Sequence, residues 1–402
     1  MTSPENMILR RVLSSWAVIG MVVFLCGAWL LPTPKLYHQL IIVFLWLPAL
    51  LALFERNVRL LLKQPEFFLF GLFAAWTLFV LLMQGGIDPV SKSKVPFYVG
   101  LTLVGIVLVA QHAVISLEKL LLYASVFGGI LAGVSWLDYY FLKGQPLESR
   151  VIAIGVWNSI IMAAHAVGAL ALLGVFMLKT TRVKPWVALL LLLPALGYVL
   201  FLGFSQTRGV WMGLAATLLV MAIALKSRKC GYFILLLLAG VGCIALLEPE
   251  ILLQRGVSYR PELWRGGAQL ILEHWTLGVG FNQYLIHLAE GGVPFKHPHN
   301  LFLDVGVRFG IPGLLLFVLL WGMVGWRGWS CRDVPLGQAL LALWVFASVS
   351  LLTDGIGLWL KPNADWLITW LPIGLSAVLA SRESKRRLQV RDTRAGVSKQ
   401  PI

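Results

Sequence analysis

Apolar residues in this chain come in long unbroken runs, without the alternating spacing of half-buried strands. A helix needs about 20 such residues to cross the hydrocarbon core of a bilayer, and about twelve runs approach that length. They cover 14–31, 38–54, 67–83, 97–115, 120–142, 158–178, 186–204, 210–225, 232–247, 301–326, 337–353 and 366–380. Short polar segments separate them, the tightest being the turn near Arg208, and one run is broken by Gly310. The first run, Ser14 to Leu31, is longer than a signal-peptide core and no small-x-small cleavage site follows it, so it reads as a span. Cys26 follows Phe24 and Leu25, which are too bulky for a lipoprotein cleavage box.

The rhythm breaks between Glu248 and Asn300, where a simple linker would need only a handful of residues. Within it, Arg260, Trp264, Gly267 and Ile271 share one helical face, and Phe281, Tyr284, Leu285 and Leu288 repeat the spacing. Two short amphipathic helices lying along the membrane surface are therefore expected. The final stretch, Ser381 to Ile402, is basic and without period, which predicts a disordered tail near anionic headgroups. The expected fold is all-α and polytopic, with about 12 transmembrane helices and a cap of short interfacial helices. Small residues such as Gly128, Gly129 and Gly133 are expected at helix contacts. The chain divides into spans one to nine over 1–247, the long connection over 248–300, spans ten to twelve over 301–380 and the tail over 381–402.

Composition sharpens this picture. Hydrophobic residues make up 59% and charged residues only 13% of the 402, with a mean hydropathy of +0.83, which excludes a soluble domain and a disordered chain. The net charge of +15 would suggest nucleic acid in a soluble protein, but topology accounts for most of it. With the N-terminus cytoplasmic, Arg10, Arg11, Arg56, Arg59, Lys63, Lys119, Lys179, Arg182 and Arg327 all fall inside, together with the basic tail. Both termini are assigned to the cytoplasm, membrane lipids are the expected partners, and no nucleic acid is. Cys26, Cys230, Cys243 and Cys331 have neither a CxxC nor a zinc spacing.

Against the topology rule, Arg150, Arg208, Arg255, Arg260, Arg265 and Arg308 fall outside or near the outer interface. A guanidinium binds phosphate bidentately and stays charged, so the cluster suits a lipid phosphate or pyrophosphate. The plainer alternative is that they snorkel to headgroups or pair with Glu248, Glu250, Glu262 and Glu290. Arg208 sits in the turn Ser205-Gln206-Thr207-Arg208-Gly209, and Arg265 lies early in an amphipathic helix, where the dipole favours an anion. His299, in Lys296-His297-Pro298-His299-Asn300, stands where the long connection re-enters the membrane, and a neutral imidazole there can accept a proton. A solvated or hydrogen-bonded histidine is the alternative.

Other chemistries are weaker. His297, His299 and Asp304 could ligate a metal, but His-x-His has no further ligand at a convincing spacing. No metal or cofactor is assigned. Ser205, His299 and Asp304 lack the Gly-x-Ser-x-Gly elbow of a hydrolase, and Gly278-Val279-Gly280 is a lone GxG without a preceding strand. His112 and His165 read as packing residues at or within spans.

Several motifs in order resemble a known family. They are the turn Ser205–Gly209, the long connection with Arg260-Pro-Glu-Leu-Trp-Arg265, then Trp275–Gly280, His299-Asn300-Leu301-Phe302-Leu303 and Gly310-Ile311-Pro312-Gly313. Together they look like the O-antigen ligase and polymerase superfamily, over about residues 190–330 in motif and elsewhere in topology alone. The resemblance implies a glycosyltransferase of the Gram-negative inner membrane, acting at the periplasmic face on an undecaprenyl-pyrophosphate-linked glycan. For ligases the implied acceptor is a sugar hydroxyl of lipid A core, with inversion and without a metal. The family's turn arginine falls on Arg208, its loop-helix arginine on Arg265 and its essential histidine on His299. Arg150 and Arg260 are further expected phosphate ligands, and Arg308 and Asn300 neighbour the site. Three other readings stay open: a polysaccharide polymerase, a protein O-oligosaccharyltransferase with the same donor, and a transporter, although no paired halves or midspan charges favour the last.

Overall fold

The computed structural model is all-helical and describes residues 4–112, 114–157, 159–226, 259–288, 293–355 and 357–397. Among these, eleven helices are long and apolar enough to cross a membrane. They are α1 (Ile8–Leu30), α2 (Pro34–Ala52), α3 (Pro65–Gln84), α4 (Pro89–Val109), α5 (Leu117–Leu142), α6 (Ile160–Thr180), α7 (Pro185–Ser205) and α8 (Arg208–Leu225). After the shorter α9 (Arg260–Glu273) come α10 (Leu301–Ser330), α11 (Pro335–Thr353) and α12 (Ala364–Arg387). Each of these spans coincides with an expected apolar run. The expected ninth span, 232–247, lies outside the described residues, as do Cys230, Cys243, Glu248, Glu250, Arg255 and Glu290.

Local signals fix the helix starts. Proline opens α2, α3, α4, α7 and α11, where its missing N–H costs nothing. Side chains of Thr33, Asp88, Ser116, Ser159 and Asn300 accept from the first free amides of their helices. At α4 these signals outrank hydropathy. The helix starts at Pro89, eight residues before the expected 97, because Asp88 caps it and Pro89 fixes its first turn despite the polar Ser91–Lys94.

The expected glycine contacts are present. A Cβ on Gly129 would lie 2.6 Å from the Pro194 carbonyl oxygen, and one on Gly197 would lie 2.0 Å from the Gly129 carbonyl oxygen, so α5 and α7 meet backbone to backbone.

The polar tail differs from expectation. The helix of α12 continues from Trp370 to Val397 instead of ending in a disordered segment. Glu383 pairs with Arg387 one turn on, Arg382 reaches Glu118, and Glu383 also receives Arg327 Nη1 at 2.7 Å. The absence of apolar period therefore did not mean absence of partners, and the Arg, Lys and Gln of this stretch are good helix formers. Arg327 Nε also meets the buried Glu66 Oε1 at 3.0 Å, to which Ser376 Oγ donates at 2.9 Å. This ionic knot ties α3, α10 and α12 together at the end remote from α9.

The broken run around Gly310 has a mechanical cause. Pro312 has no N–H, so the Arg308 carbonyl loses its helical partner and accepts from Gly280 N at 2.8 Å. Val279 N donates to Val307 O at 2.9 Å, and Ile311 N turns to Trp275 O at 2.7 Å. Gly310 takes φ +67°, and a Cβ there would meet the Thr276 oxygen at 2.4 Å. The segment Trp275–Gly280 is thus stitched into the kink of α10, which fixes the first turns of that helix against the chain that follows α9.

Candidate active site

The site is built where α8, α9 and α10 begin and α11 ends. Helix α7 stops at Ser205, Gln206 adopts a left-handed conformation (φ +49°), and α8 begins at Arg208, so the expected tight turn is present. Arg150 braces it, donating from Nε to Ser205 O at 2.8 Å and from Nη2 to Thr207 Oγ1 at 3.0 Å. Gly209 lies against Thr353, where a Cβ would come within 2.2 Å of Oγ1. Arg260, at the start of α9, donates from Nε to Thr353 O at 2.6 Å. Thr353 therefore brings Arg208 and Arg260 to one corner of the bundle.

Helix α9 buries Leu263, Gly267 and Ile271, with Leu263 taking the place expected for Trp264. Gly267 allows Pro298 and Leu303 to approach its Cα closely, which seats the re-entering chain under α9. Arg265 is left exposed and Arg208 half-buried, and among the described residues neither forms an ion pair. The second expected amphipathic helix does not form. Residues 281–288 run as an extended loop, with bridges from Phe281 to Gly86 and from Ile286 to Phe295. Gly278 and Gly280 have positive φ, and the loop backbone finds its partners in neighbouring segments of the chain rather than along itself, Ile286 N meeting Phe295 O at 2.8 Å. An i, i+3, i+4, i+7 match over eight residues was too short to outweigh that.

His299 has a left-handed backbone (φ +50°), a conformation that costs a non-glycine residue about 1–2 kcal/mol. The turn is held by Asn300, which is 4% exposed and whose Oδ1 accepts from Phe302 N at 3.0 Å and Leu303 N at 3.2 Å. It points His299 Nδ1 at Asp354 Oδ1, 3.2 Å away, immediately after the Thr353 that joins the arginines. Burial pushes the Asp354 carboxyl up, but the hydrogen bond from His299 and the charges of His165, His299 and Arg260 outweigh it and hold it below the ordinary carboxylate range. A carboxylate that stays ionised favours the tautomer with hydrogen on Nδ1, leaving Nε2 with a free lone pair. The His297 ring lies 4.0 Å from that of His299, and burial together with the His299 charge lowers its own affinity for a proton.

Asp304 and Ser205 are engaged elsewhere. Asp304 is fully buried, receives Arg308 Nε at 3.0 Å on both oxygens and accepts from Tyr284 OH at 2.6 Å. Burial and the Asp304 charge raise the Tyr284 phenol, which keeps it a donor. Ser205 is buried and donates to Leu202 O at 2.9 Å, so it does not assemble with His299 and Asp304. Among the described residues no three His, Cys, Asp or Glu side chains gather in a way that could hold a metal. Arg308 and Asn300, expected beside the phosphate, both make their contacts within the protein. His165 lies buried in α6, 2.9 Å from Asp365, and His112 Nδ1 accepts from Ile115 N at 2.9 Å.

Residues 193–318 match the family model described as O-antigen ligase. That interval holds Arg208, Arg260, Arg265 and His299. The chain is also 29% identical to an O-antigen ligase of Pseudomonas aeruginosa over 373 residues, 91% of each chain. Both comparisons thus find this chain similar to O-antigen ligases. Asp354 and Arg150 lie beyond the matched interval, yet both contact the site built within it. Sequence reasoning missed Asp354 as a partner of His299 because 55 residues separate them. The available signal was a carboxylate immediately after an apolar run, in Leu352-Thr353-Asp354-Gly355, where an acid at a membrane boundary needs a partner.

Proposed function

We propose that this protein is an O-antigen ligase that transfers a glycan from undecaprenyl pyrophosphate to a sugar hydroxyl of lipid A core, at the periplasmic face of the inner membrane. The observation that carries the reading is His299 oriented by Asp354 at the corner where Thr353 meets the starts of α8 and α9, the helices that carry Arg208 and Arg265, two guanidiniums without an ion pair among the described residues. A base and unneutralised cations at one corner suit a reaction that removes a proton from one lipid substrate while charge grows on the phosphate of another. The gathering of Arg10, Lys119, Lys179, Arg327 and Arg382 toward the opposite end supports that orientation in the membrane.

In this mechanism the acceptor hydroxyl gives its proton to His299 Nε2 as its oxygen attacks the anomeric carbon. The bond from that carbon to the pyrophosphate oxygen breaks on the opposite face, so one displacement inverts the centre. Arg208 and Arg265 stabilise the charge that develops on the leaving undecaprenyl pyrophosphate, and no metal is required. Arg260 and Arg150 act on the same charge from further back, Arg150 chiefly by holding the turn that carries Arg208. Asn300 contributes by fixing the turn at His299 rather than by touching phosphate. The acceptor is tested by offering purified protein the donor with lipid A core, with a second lipid-linked glycan, or with a pilin. Product on lipid A core is expected; a lengthened glycan on the polyprenyl carrier, or glycan on protein, would assign the site to a different acceptor.

A further inference from the structure

A second cationic pocket lies on the other side of the histidine pair. It is a cavity of about 390 Å³ whose lining includes Lys92, Tyr284, Lys296, His297, Asp304 and Arg308, with the amides of Asn282 and Gln283. His299 does not line it; the His297 ring, 4.0 Å from that of His299, stands between. Lys92 reaches it because α4 begins early, and its ammonium lies 5.6 Å from the Phe281 ring centre. The one carboxylate in the lining, Asp304, is already matched by Arg308 and Tyr284. Lys92 and Lys296 have no ion pair among the described residues, and His297 Nδ1 is buried without a hydrogen-bond partner. Lys92 feels the Asp88 charge without pairing with it, so two ammonium groups free of ion pairs and an unused ring nitrogen surround a space suited to an anion.

We propose that this cavity is an anion subsite for the acceptor, binding a phosphate or carboxylate substituent of its glycan so that a neighbouring hydroxyl is presented to His299. The inference rests on the transfer reaction proposed above, in which the arginines on the α8 and α9 side of His299 take the donor pyrophosphate. That leaves the α4 and α10 side for the second substrate. Lys92 and Lys296 bind the anion, Arg308 is held in place by Asp304, and His297 separates the two charge sites.

The test uses the full chain in zwitterionic nanodiscs with a donor of neutral sugars, so that neither lipid nor donor glycan supplies the anion. Phosphorylated lipid A core and the same acceptor after phosphatase treatment of its core sugars are compared, for wild type and Lys92→Met/Lys296→Gln. With the phosphorylated acceptor, the acceptor KM of the variant is expected to rise about 10- to 100-fold, as for the loss of one or two charge-assisted hydrogen bonds, while kcat and donor KM hold. With the treated acceptor the two proteins should converge. An equal rise for both acceptors, a rise in donor KM instead, or no change at all would each overturn the proposal. Binding of the two core oligosaccharides to the protein without donor gives an independent readout. If binding discriminates between them and is lost in the variant while no mixture yields transfer, the subsite stands and the transfer reading falls.

Discussion

Replacing Asp354 with Asn removes the charge that orients His299 while leaving shape and burial almost intact. The carboxylate lies 3.2 Å from Nδ1, and its side chain is only 9% exposed, so water is a poor substitute. A hydrogen bond to an ionised group is worth about 1.5–3 kcal/mol. If that interaction matters fully in the transition state, at about 1.4 kcal/mol per factor of ten, kcat falls roughly 10- to 150-fold. The Asn amide can also donate to Nδ1, which favours the tautomer with hydrogen on Nε2 and blocks proton uptake there. The assay is steady-state transfer from lipid-linked glycan to lipid A core, with donor KM expected to change by less than about threefold because the phosphate ligands remain. Combined with His299→Ala, the Asn substitution should add little to the loss of kcat, since its hydrogen bond is to the imidazole and its interactions with His165 and Arg260 are longer-range. A single Asp354→Asn protein with wild-type kcat, or a double variant clearly slower than His299→Ala alone, would refute the reasoning.

The same carboxyl makes a pH prediction. Because its folded value lies below the ordinary one, its stabilising contribution is complete above about pH 4 and is lost as pH falls through the depressed value. The melting temperatures of wild type and Asp354→Asn should therefore differ at neutral pH and converge at strongly acid pH. Arg208→Lys keeps the charge but loses the planar fork, and kcat is expected to fall by at least about tenfold; Arg208→Ala should cost about 100- to 1,000-fold. Arg327→Met leaves Glu66 buried without its cation and should destabilise the protein by about 3–5 kcal/mol in a denaturation series, while Glu66→Gln added to it recovers much of the loss. Gly197→Leu forces a side chain where a Cβ already stands 2.0 Å from the Gly129 oxygen, and should lower the melting temperature sharply by separating α5 from α7.

Membrane spans are legible in the sequence because hydropathy over about 20 residues averages out local detail. Every described span coincides with an apolar run, and the turn at Arg208 follows from two runs meeting across five polar or small residues. Helix boundaries set by single hydrogen bonds were harder, as the early start of α4 at Pro89 shows. The long connection misled most, since the spacing of Phe281, Tyr284, Leu285 and Leu288 is satisfied by chance while backbone bridges to Gly86 and Phe295 decide the conformation. At the site, His299, Arg208 and Arg265 stood out by residue type and position. Their supports did not: Asp354, the Arg150 brace and the Asp304–Tyr284–Arg308 cluster depend on which helix ends meet, and that information is tertiary.

The most direct test of the central claim is transfer of the glycan from undecaprenyl pyrophosphate to lipid A core by purified protein in the presence of a metal chelator, with His299→Ala alongside. The account predicts that wild type transfers at the same rate with and without chelator and that His299→Ala, though folded and still binding the donor, does not. Transfer by His299→Ala at the wild-type rate, or activity that disappears with the chelator, would contradict it.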